Sequence, residues 1–213
     1  MKYTDAKTQI VILGLICFFG PGMFNALNGM GGGGQLDQTV GNNANTALYI
    51  TFMVFGLAGG TFINLLGIRP CMFIAALTYA LYSASYIYFN ASRNGALTIA
   101  SGALLGAGAG VFWTAQGMIM MSYPREQEKG MFITIFWVIF NLGGVIGGIV
   151  PFVINYHNGG SLSNAAYIAF VVLECAGACL TWMLAPPHKV VRGDGSYVEL
   201  DSHKQPSVLG QVK

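Results

Sequence analysis

The chain has 213 residues, of which 54% are hydrophobic and only 8% are charged, with 30 glycines and a formal net charge of +2. Soluble domains usually carry about 25% charged residues, so the composition excludes an ordinary soluble domain and indicates a membrane protein. The basic residues are few and scattered, which also argues against a nucleic-acid-binding protein.

Six apolar runs are long enough to span a bilayer as helices, because a hydrocarbon core of roughly 30 Å needs about 20 apolar residues. They lie at residues 10–30, 47–66, 71–89, 96–121, 131–154 and 165–184. The runs are apolar on every side and much longer than the roughly 10 residues of a membrane-spanning strand. The sequence therefore predicts an all-α, multi-pass membrane domain over residues 10–185, preceded by a short segment at residues 1–9.

The basic residues predict how the six helices are oriented. Arg93 lies alone on one side of the membrane if the helices alternate in direction. The other nine lie on the opposite side, and they are Lys2, Lys7, Arg69, Arg125, Lys129, Lys189, Arg192, Lys204 and Lys213. Because basic residues favour the cytoplasmic side, both termini are expected in the cytoplasm. Residues 186–213 are polar and lack an apolar helical stripe, which predicts a disordered cytoplasmic tail.

Glycines recur at a spacing of four within three of the predicted helices, so they form stripes with almost no side chain. The stripes that we expect to pack closely against other helices comprise Gly102, Gly106 and Gly110 in the fourth run and Gly143 and Gly147 in the fifth. Small residues let the backbones of membrane helices approach each other. The stripes predict a tight bundle, and smooth faces that slide during a conformational cycle are the alternative.

Amide side chains occur inside the predicted spans, at Asn25, Asn28, Asn64, Gln116 and Asn141. An amide that faces lipid loses its hydrogen bonds at a cost of a few kcal/mol, so these side chains are predicted to face the bundle interior or a wet cavity. Each one either joins two helices, contributing roughly 0.6 kcal/mol, or lines a substrate pathway.

Glu174 is the only acidic residue well inside a predicted span. Placing a charge at the centre of a membrane helix costs on the order of 3 kcal/mol, so we predict an uncharged carboxyl at pH 7. Two readings remain open, a protonated carboxyl that donates one structural hydrogen bond and a proton or cation relay. Pro21 and Pro151 predict bends in the first and fifth helices, because proline lacks a backbone donor.

Several classes of site find no support in the sequence. Cys17, Cys71, Cys175 and Cys179 all fall in or at the edge of predicted helices, which predicts neither disulfides nor a metal site. The loop GMGGGGQLDQTVGNNANT lacks the Lys-Ser/Thr ending of a phosphate-binding loop, so we interpret it as a flexible linker and expect no cofactor. No nucleophile, histidine and acid occur at a catalytic spacing, and the chain is not expected to be an enzyme. Asn90-Ala91-Ser92 is a glycosylation sequon in a predicted outer loop.

Two parts of the sequence resemble a known superfamily of transporters. GGTFINLLGIRPCMF is similar to the signature of the major facilitator superfamily at Gly60, Gly67 and Arg69, whereas Asn64 stands at the position of the signature's acid. GAGAGVFWTAQG and FWVIFNLGGVIGG resemble the Unc-ninety-three-like branch, also called ion channel regulatory proteins, and its fungal members in particular. The resemblance covers most of residues 8–192.

This resemblance implies a transporter fold of two six-helix halves, of which the chain matches the N-terminal half. Trp113 and Gln116 of the matching motif are then expected to line a cavity, together with the amides and Glu174. Three functions are consistent with these expectations. The first is a transporter half for a small solute, with or without proton coupling, which needs a homodimer or a second membrane subunit. The second is a non-transporting regulatory or trafficking subunit of another membrane protein. The third is a truncated product of a twelve-helix transporter.

Overall fold

A computed structural model describes residues 2–155 and 160–198 of the chain. Its helices are α1 (Ala6–Cys17), α2 (Met23–Gly29), α3 (Thr39–Leu66), α4 (Ile68–Ser92), α5 (Ala96–Ser122), α6 (Lys129–Asn155) and α7 (Asn164–Leu180). The described residues contain no strand, only isolated bridges. They form six segments long and apolar enough to cross a membrane, with α1 and α2 together making the first. The predicted all-α membrane fold with six spans is confirmed.

The first membrane segment is broken at a proline. A π-helical turn, Phe18–Gly22, separates α1 from α2 and contains Pro21. Proline has no N–H, so a carbonyl one turn earlier loses its donor and the hydrogen-bond ladder becomes irregular. Pro151 behaves differently, because it lies inside α6, which continues to Asn155.

Helix α3 begins at Thr39, well before the apolar run predicted at residue 47. Its first turns are polar, and hydropathy marks the hydrocarbon thickness rather than the length of a helix. The Asp37 carboxylate accepts a hydrogen bond of 3.0 Å from the backbone N–H of Thr39, which satisfies one free donor at the helix start.

The helices pack through small residues as well as large ones. Gly102, Gly106 and Gly110 of α5 lie against the backbone of α3, and a Cβ at Gly106 would overlap the carbonyl oxygen of Leu48. Gly143 and Gly147 of α6 lie against the first membrane segment, at Phe18 and at Met23 and Ala26, respectively. Helix α4 packs between α5 and α7.

The glycine-rich loop is a packed turn, so its interpretation as a flexible linker is wrong. Gly31, Gly32, Gly33 and Gly34 all have positive φ values, between 54° and 79°. Gly32 and Gly33 are buried, and the Leu162 N–H donates a 2.8 Å hydrogen bond to the carbonyl of Gly34. We call this end of the bundle the glycine-loop end, and the opposite end, where residues 2–5 and 184–198 lie, the terminal end.

The segment after the last helix is ordered where the structure describes it, which corrects the predicted disordered tail over residues 186–198. The Val191 N–H donates to the Thr4 carbonyl and the Ala6 N–H donates to the Val191 carbonyl, each at 2.9 Å. Val190 and Val198 are fully buried beneath these contacts. The sequence missed this packing because a pair of buried valines in a polar segment has no helical period. Residues 199–213 lie outside the described part of the chain.

Two helices leave most of their apolar surface uncovered. Buried residues make up only 17% of the span in α3 and 24% of the span that contains α6. In the other four spans at least 39% of the residues are buried. Leu57 of α3 is 89% exposed, and α6 exposes Val145 and Phe152. These faces are available to lipid or to another membrane segment.

Candidate functional site

A cavity of about 150 Å³ lies beside the break in the first membrane segment. Pro21 and Asn25 line it from the first segment, and Tyr49 and Phe52 line it from α3. Tyr79 of α4 and Trp113 of α5 complete the polar part of its wall. The lining thus offers one amide, two phenol hydroxyls and one indole N–H among apolar side chains, which is the composition typical of small-molecule sites.

An aromatic cluster gives the cavity a rigid wall. The ring of Tyr79 makes edge-to-face contacts with Phe24 at 5.8 Å and with Phe112 at 6.0 Å between ring centroids. Trp113 makes the same kind of contact with Phe140 of α6 at 5.6 Å. The indole nitrogen of Trp113 lies near the Tyr79 hydroxyl. Edge-to-face pairs contribute about 0.5–1.5 kcal/mol each beyond the area they bury, so this wall is well ordered.

The structure brings only some of the predicted pathway residues together. Asn25 and Trp113 line the same cavity. Asn28 accepts a 3.0 Å hydrogen bond from the Asn45 side chain of α3 and thus joins two helices. Gln116 is partly buried, but it is not among the residues that line the cavity.

Asn141 is exposed on α6, which corrects its predicted inward orientation. Its Nδ2 donates a 2.7 Å hydrogen bond to the carbonyl of Trp137, one turn earlier in the same helix. Because its own helix supplies this partner, the side chain needs no second helix to satisfy the amide nitrogen. Asn64 is also exposed, at the other uncovered helix, α3.

Glu174 is fully buried on α7, in agreement with its predicted inward orientation. Neither carboxyl oxygen has a hydrogen-bond partner among the described residues. The Ser83 hydroxyl on α4 lies close enough to act on the carboxyl, and it is also buried without a hydrogen-bond partner among the described residues. A buried polar group without a partner is rare in native proteins and calls for a functional explanation.

Tyr79, Tyr49 and Ser83 are site residues that the sequence reasoning missed. A tyrosine in an apolar helix is indistinguishable by pattern from an ordinary core residue. One signal was available in the stretch TYALYSASYIY of α4, where hydroxyl-bearing residues follow one another at spacings of three and four. A helix with that many hydroxyls on neighbouring turns has a polar face, and a polar face inside a membrane bundle marks an internal network or a cavity.

Asn90 belongs to a hydrogen-bond network at the glycine-loop end. Its Nδ2 donates to the side chain of Asn164 at 2.7 Å and to the carbonyl of Leu162 at 3.2 Å. Its Oδ1 accepts a 2.9 Å hydrogen bond from Gln35. A sugar on the amide nitrogen would break at least one of these contacts, so the fold disfavours modification of the predicted glycosylation sequon.

The turn that resembles the major-facilitator signature lies at the terminal end. Gly67 has a φ of 85°, which explains why glycine is needed between α3 and α4. Gly60 lies in open space on α3. Arg69 lies close enough to the Tyr123 hydroxyl for its charge to reach it. Burial raises the pKa of Tyr123 above its ordinary value, and the Arg69 guanidinium partly opposes this rise.

The described residues contain no group of three or more histidine, cysteine, aspartate or glutamate side chains placed to hold a metal ion. The four cysteines are free thiols. The candidate site is therefore the cavity with Asn25, Tyr79 and Trp113 on its wall, and Glu174 with Ser83 behind it.

Comparison with known proteins gives a consistent picture. The sequence profile of the family described as ion channel regulatory protein UNC-93 matches residues 32–200. UNC93-like protein 1 of Arabidopsis thaliana is 47% identical over 97% of this chain and 45% of its own length. An UNC93-like protein of Schizosaccharomyces pombe is 42% identical over 94% of this chain and 40% of its own length.

A more distant relative, the UNC93-like protein MFSD11 of Xenopus laevis, is 28% identical over 84% of this chain and 41% of its own length. The chain thus spans less than half the length of the curated relatives that it matches. No solved structure matches the chain.

Proposed function

The chain belongs to the UNC-93 family of membrane proteins, and we propose that it forms one half of a transporter for a small solute. The cavity beside the broken first segment is the observation that carries this proposal. Its wall combines the Asn25 amide, the Tyr79 hydroxyl and the Trp113 indole, which together recognise a polar solute with an apolar or aromatic part.

The size and position of the cavity fit a shared site. A volume of about 150 Å³ is below the roughly 300–1,000 Å³ of a complete small-molecule pocket. Tyr49 and Asn25 are exposed, so the cavity opens at the surface of the bundle. Transporters built from repeated halves place the solute between the halves at the membrane midplane. A second six-helix unit facing this surface would complete the site.

The uncovered faces of α3 and α6 also support a second unit. Both helices expose large apolar side chains, whereas α1, α2, α4, α5 and α7 bury a greater share of theirs. The second unit is a further copy of the chain, a separate membrane subunit or a second half of the same polypeptide, since the relatives are more than twice as long. Chemical crosslinking of Leu57→Cys distinguishes a homodimer from the other two arrangements.

Binding and flux test the proposal directly. Tryptophan fluorescence of the purified protein is titrated with amino acids, sugars and nucleosides, and solutes that bind are then tested for uptake into proteoliposomes. Asn25→Ala should abolish both signals, and Trp113→Ala, which removes one of the fluorescent reporters, should abolish uptake. Asn94→Ala and Trp182→Ala are matched controls, because both side chains are exposed and lie on neither α3 nor α6. Equal losses in the cavity variants and the controls would refute the cavity as the solute site.

A second function is supported by a different surface. Gly56 and Gly60 form a smooth strip on α3 where an added Cβ would contact nothing within 4 Å. Such a strip suits close packing of a helix from another membrane protein, as the description of the matching family would suggest for a regulatory subunit.

Gly60→Leu separates the two functions. The substitution blocks close approach to the strip but leaves the cavity unaltered. If the chain is a regulatory subunit, the original protein binds no solute and the variant loses its co-purifying membrane protein. If the chain is a transporter half, the original protein binds solute, whether or not the second unit also packs on α3.

A further inference from the structure

We propose that Glu174 binds and releases one proton during the transport cycle and that Tyr79 connects its carboxyl with the cavity. The inference deepens the proposed transport function and rests on it for the coupling to flux. Protonation of one carboxyl is measurable without any solute, so the two proposals fail separately.

The polar atoms at Glu174 and Ser83 lack hydrogen-bond partners, and a proton on the carboxyl would remove the need to solvate a buried negative charge. Both carboxyl oxygens and the Ser83 hydroxyl are buried, and none has a hydrogen-bond partner among the described residues. The two groups face each other from α7 and α4. Either protonation state can form one hydrogen bond with Ser83, in which the protonated carboxyl donates and the ionised carboxyl accepts. An ionised carboxyl has only the Ser83 hydroxyl to solvate it.

The other ionisable groups near Glu174 are uncharged at neutral pH and give the carboxylate no counter-ion. They are the Tyr79 hydroxyl on α4 and the Cys175 thiol on α7 itself. No basic side chain of the described residues is among the groups that act on this carboxyl. Without a cation nearby, burying the ionised form is costly, so the neutral acid is the resting state.

A metal cation fits this place poorly. Ca²⁺ takes six to eight oxygen ligands and Mg²⁺ needs six. Here two helices supply one carboxyl and one hydroxyl, and the described residues hold no cluster of metal ligands. The proton is the ligand that the available groups can hold.

Glu174 lies next to the irregular part of the first membrane segment. Gly177, one turn away on α7, packs so closely on the π-helical turn that a Cβ would come within 2.7 Å of the Phe19 Cβ. Helix α2, which carries Asn25 into the cavity, begins directly after this turn. Irregular turns of this kind move more readily than a regular helix and recur at functional sites. A change in the charge of Glu174 can therefore alter the cavity through the turn.

Tyr79 provides the route between the carboxyl and the cavity. Its side chain lines the cavity, and it lies one helical turn from Ser83 on the same face of α4. In the loading step the Tyr79 O–H bond breaks as an O–H bond forms on Glu174, and the phenolate oxygen takes a proton from a hydronium ion that enters through the cavity and is left as water. Release runs in reverse. One proton moves in each direction, and no electrons are transferred.

Infrared spectroscopy of the full chain in lipid vesicles tests the site. A protonated carboxylic acid has a carbonyl stretch separate from that of a carboxylate. This band should be present at neutral pH and be lost in Glu174→Gln, but not in Glu126→Gln, whose exposed carboxylate pairs with Lys129. Ser83→Ala should shift the band, because it removes the hydrogen-bond acceptor.

Deuterium exchange of the same band tests the route. Tyr79→Phe should keep the band but slow its exchange by roughly a hundredfold, the low end of what a positioned proton-transfer group contributes. Tyr88→Phe, an exposed tyrosine of the same helix, should leave the exchange rate unchanged.

Two results would overturn the inference. They are a band that persists in Glu174→Gln and an exchange rate that Tyr79→Phe and Tyr88→Phe affect equally. If the band behaves as expected while no solute is transported, the proton site stands and the proposed transport function falls.

Discussion

The Tyr167 hydroxyl donates a 2.6 Å hydrogen bond to the carbonyl oxygen of Gly33 and so fixes α7 to the glycine loop. The same hydroxyl accepts a 2.8 Å hydrogen bond from Gln35. The ring stacks on Tyr86 of α4, with 5.3 Å between centroids and an interplanar angle of 5°. Gly33 is held so tightly that a Cβ there would overlap the Tyr86 ring. One tyrosine thus joins α4, α7 and the loop that leads into α3.

Tyr167→Phe should destabilise the protein by about 1–3 kcal/mol, because the buried Gly33 carbonyl and the Gln35 amide each lose a partner. Thermal unfolding in detergent, followed by circular dichroism, measures the loss. Tyr88→Phe is the control, since that side chain is half exposed, and it should change stability by less than about 0.5 kcal/mol. Equal effects of the two substitutions would contradict a structural role for the Tyr167 hydroxyl.

The glycine stripe of α5 makes a second prediction. Gly106→Ala forces α5 away from α3, because the new Cβ would overlap the Leu48 carbonyl oxygen. Overpacking of this kind costs about 1–3 kcal/mol, which unfolding in detergent would register.

The matched control for the stripe is Gly60→Ala on α3, where a Cβ meets nothing within 4 Å. Alanine favours a helix by up to about 1 kcal/mol over glycine, so this variant should be at least as stable as the original protein. A loss of stability in Gly60→Ala that matches Gly106→Ala would mean that the stripe is not a contact surface.

The sequence could predict the spans because hydropathy measures the same transfer to hydrocarbon that holds the helices in a bilayer. It could not locate the start of α3, where Thr39 and the polar residues after it form helical turns beyond the apolar run. It also missed the packing of the glycine loop. A run of glycines in a sequence indicates a flexible backbone, and it does not show that Gly33 and its neighbours adopt fixed positive φ values. Contacts from Tyr86 and Tyr167 hold these glycines in place.

The site was predictable where one energetic argument sufficed. Burial of Glu174 follows from the cost of a carboxyl in hydrocarbon, and the structure agrees. The same argument failed for Asn141, because a carbonyl of its own helix satisfies its amide nitrogen. Tyr79 could not be singled out, since its role depends on which helices meet beside Pro21, and one sequence does not reveal those pairings.

Asp37 should titrate at an unusually acidic pH. Hydrogen bonds from the side chain and backbone of Thr39 lower the pKa of this exposed carboxyl below its ordinary value. A depressed folded pKa stabilises the fold above the ordinary aspartate range, and this contribution is lost as pH falls through the folded pKa. Carboxyl-carbon NMR titration should place its midpoint below that of Asp37 in an unfolded peptide, and the Thr39 amide shift should follow the same curve. A midpoint equal to the peptide value would show that the hydrogen bonds do not persist in solution.

Arg192 should hold the segment after the last helix in place. Its Nη2 donates a 2.8 Å hydrogen bond to the carbonyl of Ser122, at the end of α5, where helical carbonyls lack donors. A hydrogen bond from a charged donor contributes about 1.5–3 kcal/mol, so Arg192→Ala should speed hydrogen exchange at the Val191 and Val198 amides by about tenfold or more. Mass spectrometry of exchanged peptides measures the rate. Lys189→Ala, which removes an exposed positive charge from the same segment, should leave the exchange unchanged. If both variants accelerate exchange equally, net charge holds the segment; if neither does, the bridge between residues 4–6 and Val191 is sufficient by itself.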